Sequence, residues 1–336
     1  MTLATDTPNP PHDIDCNPMT HHITRLAALA VASAALVPAA RANEQPFAYS
    51  YLSETLPAKA LEVEQTTSYR SKKSQGTYTL WQSRTSIEYG ITDRWTMSLY
   101  LNNYSVVAEN NNSAASRTSY TASGDGDEVS GGGPVTFGSY VPFLDKLPLP
   151  SARYAKRDFE SVSVESIYQL MSPYKDAIGL AAYVEVTHGP KVSELEFKAL
   201  LQKNLLDDQL ILAGNVALEL EREKWSGIGV EKESKLTFSG GASYRLAPGW
   251  RAGLEVVNER GYMGHSLSSG NRDYSAWFVG PNIHYASARW FATLTWMQQM
   301  PWASAYSDAA RDELVNGRVY KSTEKTNVRL RVGYSF

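Results

Sequence analysis

The side chains equipped for chemistry fall into three groups. The largest is a set of charges, Glu62, Glu64, Arg84, Glu88, Glu185, Arg245, Arg251, Glu255, Arg329 and Arg331, which sit at alternate positions of segments whose intervening residues are mostly apolar. Carboxylates and guanidiniums sharing one face of a sheet either interlock as a salt-bridged filling or line a polar passage that selects solutes by charge. Glu62 and Glu64 against Arg329 and Arg331 make the sharpest pair, provided the strands that carry them are neighbours. The second group is Gly264-His265-Ser266-Leu267-Ser268-Ser269-Gly270-Asn271-Arg272. A histidine activates a serine only from the same side of the chain, and the residue two after His265 is Leu267, so a Gly/Ser loop is the simpler reading. The third is Asp125-Gly126-Asp127-Glu128, whose oxygens suit calcium but lack the spacing of a known calcium loop; an acidic solvated loop accounts for them.

These groups need elements to position them, and the last ten residues show which kind. In Asn327 to Phe336, Val328, Leu330, Val332, Tyr334 and Phe336 alternate with Asn327, Arg329, Arg331, Gly333 and Ser335, and no turn residue follows. An apolar-faced terminal strand would be an exposed edge in water, whereas a membrane barrel closes it on the first strand and gives its apolar face to lipid. Alternating segments recur from Leu61 onward: Leu61 to Arg70, Leu80 to Tyr89, Trp95 to Leu101, Phe159 to Leu170, Ile178 to Thr187, Glu194 to Lys203, Leu210 to Glu221, Ser234 to Leu246, Trp250 to Asn258, Ala276 to Tyr285 and Trp290 to Gln298. With the last strand the count is about twelve, even, with short turns and longer loops alternating, which is the pattern of an up-and-down transmembrane barrel. Even parity puts both termini on one side, so Leu61 to Arg70 can pair with Asn327 to Phe336. Asn103 to Asp158 is the longest irregular stretch; it either extends the neighbouring strands above the membrane or folds inward. Arg222 to Glu233 reads as a charged loop.

The N-terminal end supplies an address. Residues 1–18 are proline-rich and aperiodic, an extension that is disordered or untranslated. From Met19 a polar stretch with Arg25, an apolar run from Leu26 to Val37 and Ala40-Arg41-Ala42 follow in the order of a secretory signal peptide, predicting 19–42 as the signal and 43–336 as the barrel. The apolar run of about a dozen residues is too short to span a bilayer as a helix. Cys16 is the chain's one cysteine and precedes the signal, so thiol chemistry and disulfides are excluded from the exported part. A formal net charge of −3 gives no basic signature for nucleic acid. Nothing in the pattern calls for a cofactor.

Two resemblances follow. Tyr334 and Phe336, an aromatic two residues before a terminal Phe, resemble the C-terminal signal that the barrel-assembly machinery of Gram-negative bacteria reads. Ser172-Pro173-Tyr174-Lys175-Asp176-Ala177-Ile178-Gly179, Gln202-Lys203-Asn204, Ser243-Tyr244-Arg245-Leu246-Ala247-Pro248-Gly249-Trp250 and Val279-Gly280-Pro281-Asn282-Ile283-His284-Tyr285 resemble an uncharacterised family of proteobacterial outer-membrane barrels, and more distantly the barrels assigned to meta-pathway phenol degradation. The resemblance implies a fold and a location and carries no functional residues.

The sequence thus predicts an all-β, antiparallel, up-and-down barrel of the outer membrane, in contact with lipid. Its expected role is a narrow passive channel for small polar or aromatic solutes. The inward small positions Ser239, Gly241, Ser243 and Gly253 point to open volume along one wall. The competing role is a non-conducting barrel that displays its loops. An outer-membrane lipid hydrolase is a third reading, weakened by Leu267.

Overall fold

A computed structural model describes residues 45–72, 76–109, 153–225, 229–303, 314–315, 319–320 and 324–336. The expected signal peptide, the extension before it, and the Asp125 to Glu128 cluster lie outside the described residues. The strands are β1 (Leu61–Ser71), β2 (Thr77–Thr92), β3 (Trp95–Glu109), β4 (Arg153–Met171), β5 (Gly179–His188), β6 (Val192–Leu205), β7 (Leu210–Trp225), β8 (Gly229–Ala247), β9 (Trp250–Met263), β10 (Arg272–Ala286), β11 (Trp290–Met300), the short β12 (Leu314–Val315) and β13 (Val319–Tyr320), and β14 (Thr326–Ser335).

Twelve of these close an antiparallel barrel, with β14 between β1 and β11; β12 and β13 form a separate small hairpin. The closure is the one the terminal strand predicts. Tyr334 lies opposite Val63 on β1 and opposite Trp290 on β11. Closure pairs the backbone of the edge strands with each other, which is the condition for a sheet to stand in hydrocarbon.

Side-chain alternation then sorts the wall into two faces. Ile87, Leu99, Val186 and Leu254 are about half exposed on the outside, while Glu64, Glu185, Glu219 and Glu255 are buried inside. Leaving one such Leu or Ile in water forgoes about 1.5–3 kcal/mol, and exposed Leu, Ile, Val and aromatic side chains recur on the outside from β2 to β14, so this face suits lipid. Aromatics gather at the rim that holds the termini: Tyr285 stacks against Trp250 at 4.8 Å and Trp290 at 5.0 Å. Rings with one apolar body and one polar edge suit that depth.

Two boundaries differ from expectation. The expected 103–158 loop begins and ends as strand, β3 running to Glu109 and β4 starting at Arg153, which is the extension of the neighbouring strands. The expected charged loop at Arg222 to Glu233 is for the most part a hairpin, β7 running to Trp225 and β8 starting at Gly229. Charge density hid it, because alternation of charge sign, rather than of polarity, carries the period there. The wall begins at Leu61 as expected, and residues 45–60 before it are not part of it.

Candidate functional site

Residues 45–60 form a strap that crosses the lumen in the half of the barrel nearest the termini. Phe47, Leu52 and Leu56 are fully buried on it, in a stretch with no strand pairing of its own. Its orphan backbone groups must then be satisfied by wall side chains, and they are. Glu255 on β9 accepts three successive N–H groups, from Ala48 (3.0 Å), Tyr49 (2.8 Å) and Ser50 (2.9 Å), and also bonds the Thr295 hydroxyl at 2.8 Å. Convergent N–H groups of this kind make a concavity that holds an anion. The carbonyls are met by cations: Arg331 reaches Phe47 O and Arg329 reaches Ala48 O, both at 3.1 Å. Asn215 on β7 bonds both the N–H (2.6 Å) and the C=O (2.9 Å) of Tyr51, as a paired strand would.

Further contacts tie the ends down. Thr293 on β11 donates to Gln45 O at 2.7 Å, Gln202 on β6 accepts from Ser53 N at 3.0 Å, and Thr96 on β3 accepts from Leu56 N at 2.8 Å. Where the strap leaves the lumen, Pro57 O would lie 2.0 Å from any Cβ on Gly90, so only glycine admits it there. Phe47 packs with Leu52, Ile211 and Ala213. Its ring occupies the place where Gly241 would carry a Cβ, at 2.5 Å. The small inward residue therefore makes room for the strap. This corrects the expectation of open volume along that wall: Gly241 is filled by Phe47, Ser243 is fully buried, and of the four only Ser239 borders the larger cavity.

On the far side of the strap, towards the rim opposite the termini, lies a cavity of about 140 Å³. Tyr49 and Tyr51 of the strap form its floor. Its charged lining consists of Glu64, Glu160, Glu185, Glu194, Glu196 and Glu219 against Arg84, Lys198, Arg329 and Arg331. The cations are engaged: Arg84 bonds both oxygens of Glu185 at 2.7 Å, Lys198 meets Glu196 at 2.8 Å, and Arg331 meets Glu64 at 2.7 Å. Several also sit over rings, Arg84 above Tyr100 at 3.8 Å, Lys198 above Tyr183 at 4.0 Å and Arg329 above Tyr49 at 4.1 Å. Carboxylates outnumber cations. Glu194, Glu219 and Glu221 bring carboxylate oxygens within 4.8 Å of one another, but the Lys235 ammonium bonds Glu219 at 2.6 Å and Glu221 at 2.7 Å, so the protein supplies its own cation there.

A smaller cavity lies on the other side of the strap, lined by Glu54, Thr55, Glu88, Thr96 and Glu165 among others. Tyr51, Tyr100 and Arg331 line both cavities. The same three side chains, two phenol rings and one guanidinium, therefore stand between the two spaces beside the strap. Outside the strands, the Tyr174 phenol in the β4–β5 turn has its pKa raised by burial and by the Glu54 carboxylate, to which it donates at 3.1 Å.

Of the residues singled out by sequence, Glu62, Glu64, Arg84, Glu88, Glu185, Arg251, Glu255, Arg329 and Arg331 face inward. Their roles divide. The closure pair forms between Glu64 and Arg331 (3.0 and 2.7 Å), while Arg329 bonds Ser68 at 2.9 Å and the strap, and Glu62 accepts from Ser335. Arg251 caps the rim by donating to Asp208 O at 2.8 Å. Arg245 departs from expectation: it is exposed at the end of β8 beside the register shift between Arg245 and Ala247, so it does not line the lumen. His265 has its Nε2 2.9 Å from Glu221 O, and Ser266 Oγ accepts from Ser268 N, so both hold their loop in shape. Missed entirely were the strap and its holders Asn215, Gln202, Thr96 and Thr293; the signal was Phe47-Ala48-Tyr49-Ser50-Tyr51-Leu52, an aromatic stretch with no strand partner to account for it.

A closed twelve-stranded antiparallel barrel with an apolar outer face and a charged interior is the fold of outer-membrane β-barrel proteins. Among solved structures, an outer membrane channel from Pseudomonas putida F1 aligns with 88% of this chain and 100% of its own, at a TM-score of 0.53 and 12% identity. The NanC porin (TM-score 0.46, 9% identity, 81% of this chain and 98% of that one) and the KdgM porin (0.42, 10%, 82% and 99%) are also similar. No curated protein sequence matches. The chain belongs to the DUF6662 family, a family of unknown function, whose sequence profile matches residues 39–336. A link to phenol-degradation barrels is not among these findings.

Proposed function

We propose that this protein is a narrow passive channel in the outer membrane of a Gram-negative bacterium, admitting small polar or aromatic solutes with a preference for cations, and that the strap sets its constriction. The observation that carries this reading is that polar cavities lie on both sides of the strap and share Tyr51, Tyr100 and Arg331 in their walls. A barrel built only to display loops needs no polar space on both sides of a partition. Rings at this divide suit a flat or aromatic solute passing edge-on, and the carboxylate excess in the cavity beyond it concentrates cations.

Reversal potentials of the purified barrel in asymmetric potassium chloride test the charge preference. Cation preference is expected in the wild type, weakened when Glu160 and Glu194 are changed together to Gln; anion preference in the wild type overturns the reading. The strap itself favours one second reading, a barrel closed at rest. That reading predicts silence in the intact protein and conductance only once the strap is displaced.

A further inference from the structure

The β7–β8 hairpin sorts its charges by sign. At the rim opposite the termini, Glu221, Glu223, Glu231 and Glu233 occupy inward positions, while Arg222, Lys224 and Lys232 occupy outward ones and are exposed. Arg222 lies directly opposite Lys232 in the register. Like charges so placed repel, and no carboxylate on β7, β8 or β9 shares the outward face to relieve them. The next outward residues toward the membrane centre are Leu220 and Leu218 on β7, and on β8, past Ser234, Leu236 and Phe238. Arg260 of β9 adds a cation to the same face, its guanidinium 5.0 Å from the Phe238 ring. Arg222 thus lies two residues, about 7 Å, and Lys232 four residues, about 13 Å, beyond the lipid-facing apolar belt, at the depth of lipid headgroups.

We infer that this outward basic patch binds the phosphate groups of a membrane lipid, in the leaflet away from the termini, with Arg222, Lys224 and Lys232 as ligands and Arg260 beside them. Charge complementarity selects the partner: three exposed cations on one face, immediately above hydrocarbon, match a phosphorylated headgroup whose acyl chains lie along Leu220 and Leu236. Such a lipid also removes the repulsion between Arg222 and Lys232.

Native mass spectrometry of the detergent-solubilised full-length barrel, with added bisphosphorylated lipid A as probe, tests this. Fully dephosphorylated lipid A is the reference. Wild type is expected to retain the phosphorylated form selectively, and retention should weaken by about fivefold for each charge removed as Arg222→Gln, Lys224→Gln and Lys232→Gln are combined. A control with three exposed bases removed at the opposite rim, Arg94→Gln, Lys175→Gln and Arg289→Gln, should retain lipid as wild type does. Heat-modifiability on gels establishes that each variant is folded. The inference is overturned if the hairpin variant holds phosphorylated lipid as tightly as wild type, if the opposite-rim variant loses it equally, or if dephosphorylated lipid binds wild type just as well.

Discussion

One wall encloses two unlike interiors. Near the termini the lumen is packed: the strap lies across it, Glu255, Asn215 and Gln202 satisfy its backbone, and Phe47, Leu52 and Leu56 are fully buried. Toward the opposite rim the same strands enclose a polar cavity whose charges pair with each other, Arg84 with Glu185 and Arg331 with Glu64 across strands and Lys198 with Glu196 along one. The wall alternates alike in both halves, so the wall does not decide whether the lumen is filled. The strap does. A barrel of about twelve strands lies between one that its own side chains fill and one that leaves an aqueous channel, and a segment that brings its own rings fills the half nearest the termini, with a polar cavity beyond it.

The packed half depends most on Glu255. Changing it to Ala leaves three buried N–H groups of the strap without their acceptor, a cost of about 3–5 kcal/mol if water cannot replace it. Protease cutting within residues 45–60, at a digestion level that leaves the barrel intact, is expected to appear; a strap as resistant as wild type would mean that Glu255 does not anchor it. The lipid face comes next. Leu254→Arg on the outside of the same strand should destabilise by about 2–4 kcal/mol near the midplane, read as a lowered urea midpoint for folding into vesicles. An unchanged midpoint would place Leu254 off the lipid face. The smallest effect belongs to the open half, where Thr237→Asn should shift the same midpoint by less than about 0.5 kcal/mol. A larger loss there would show that the cavity is packed after all.

The fold was legible because period-2 alternation needs no knowledge of neighbours, and even the closure of β14 on β1 followed from Leu330 and Val332 facing lipid and from strand parity. The site was less so. Glu64 with Arg331 could be read from closure, since both lie on strands that meet there. Glu255 looked like one more lumen charge, because nothing local distinguishes a carboxylate that binds another side chain from one that binds a distant backbone. Gly241 was misread for a related reason: small size signals space, and only the fold shows that Phe47 fills it. Arg245 kept the right parity but sits at a strand end, where parity no longer implies burial.

The claim that the strap sets the constriction is tested most directly by single-channel recording in planar bilayers, comparing the intact barrel with one in which residues 45–56 are replaced by a Gly/Ser segment of equal length. Full-length Glu255→Ala serves as a second variant should the replacement fail to assemble. Small steady steps in the intact protein, and steps several-fold larger in both variants, are the expected result. Identical steps in all three proteins would contradict it, showing that the strap does not limit passage through the lumen.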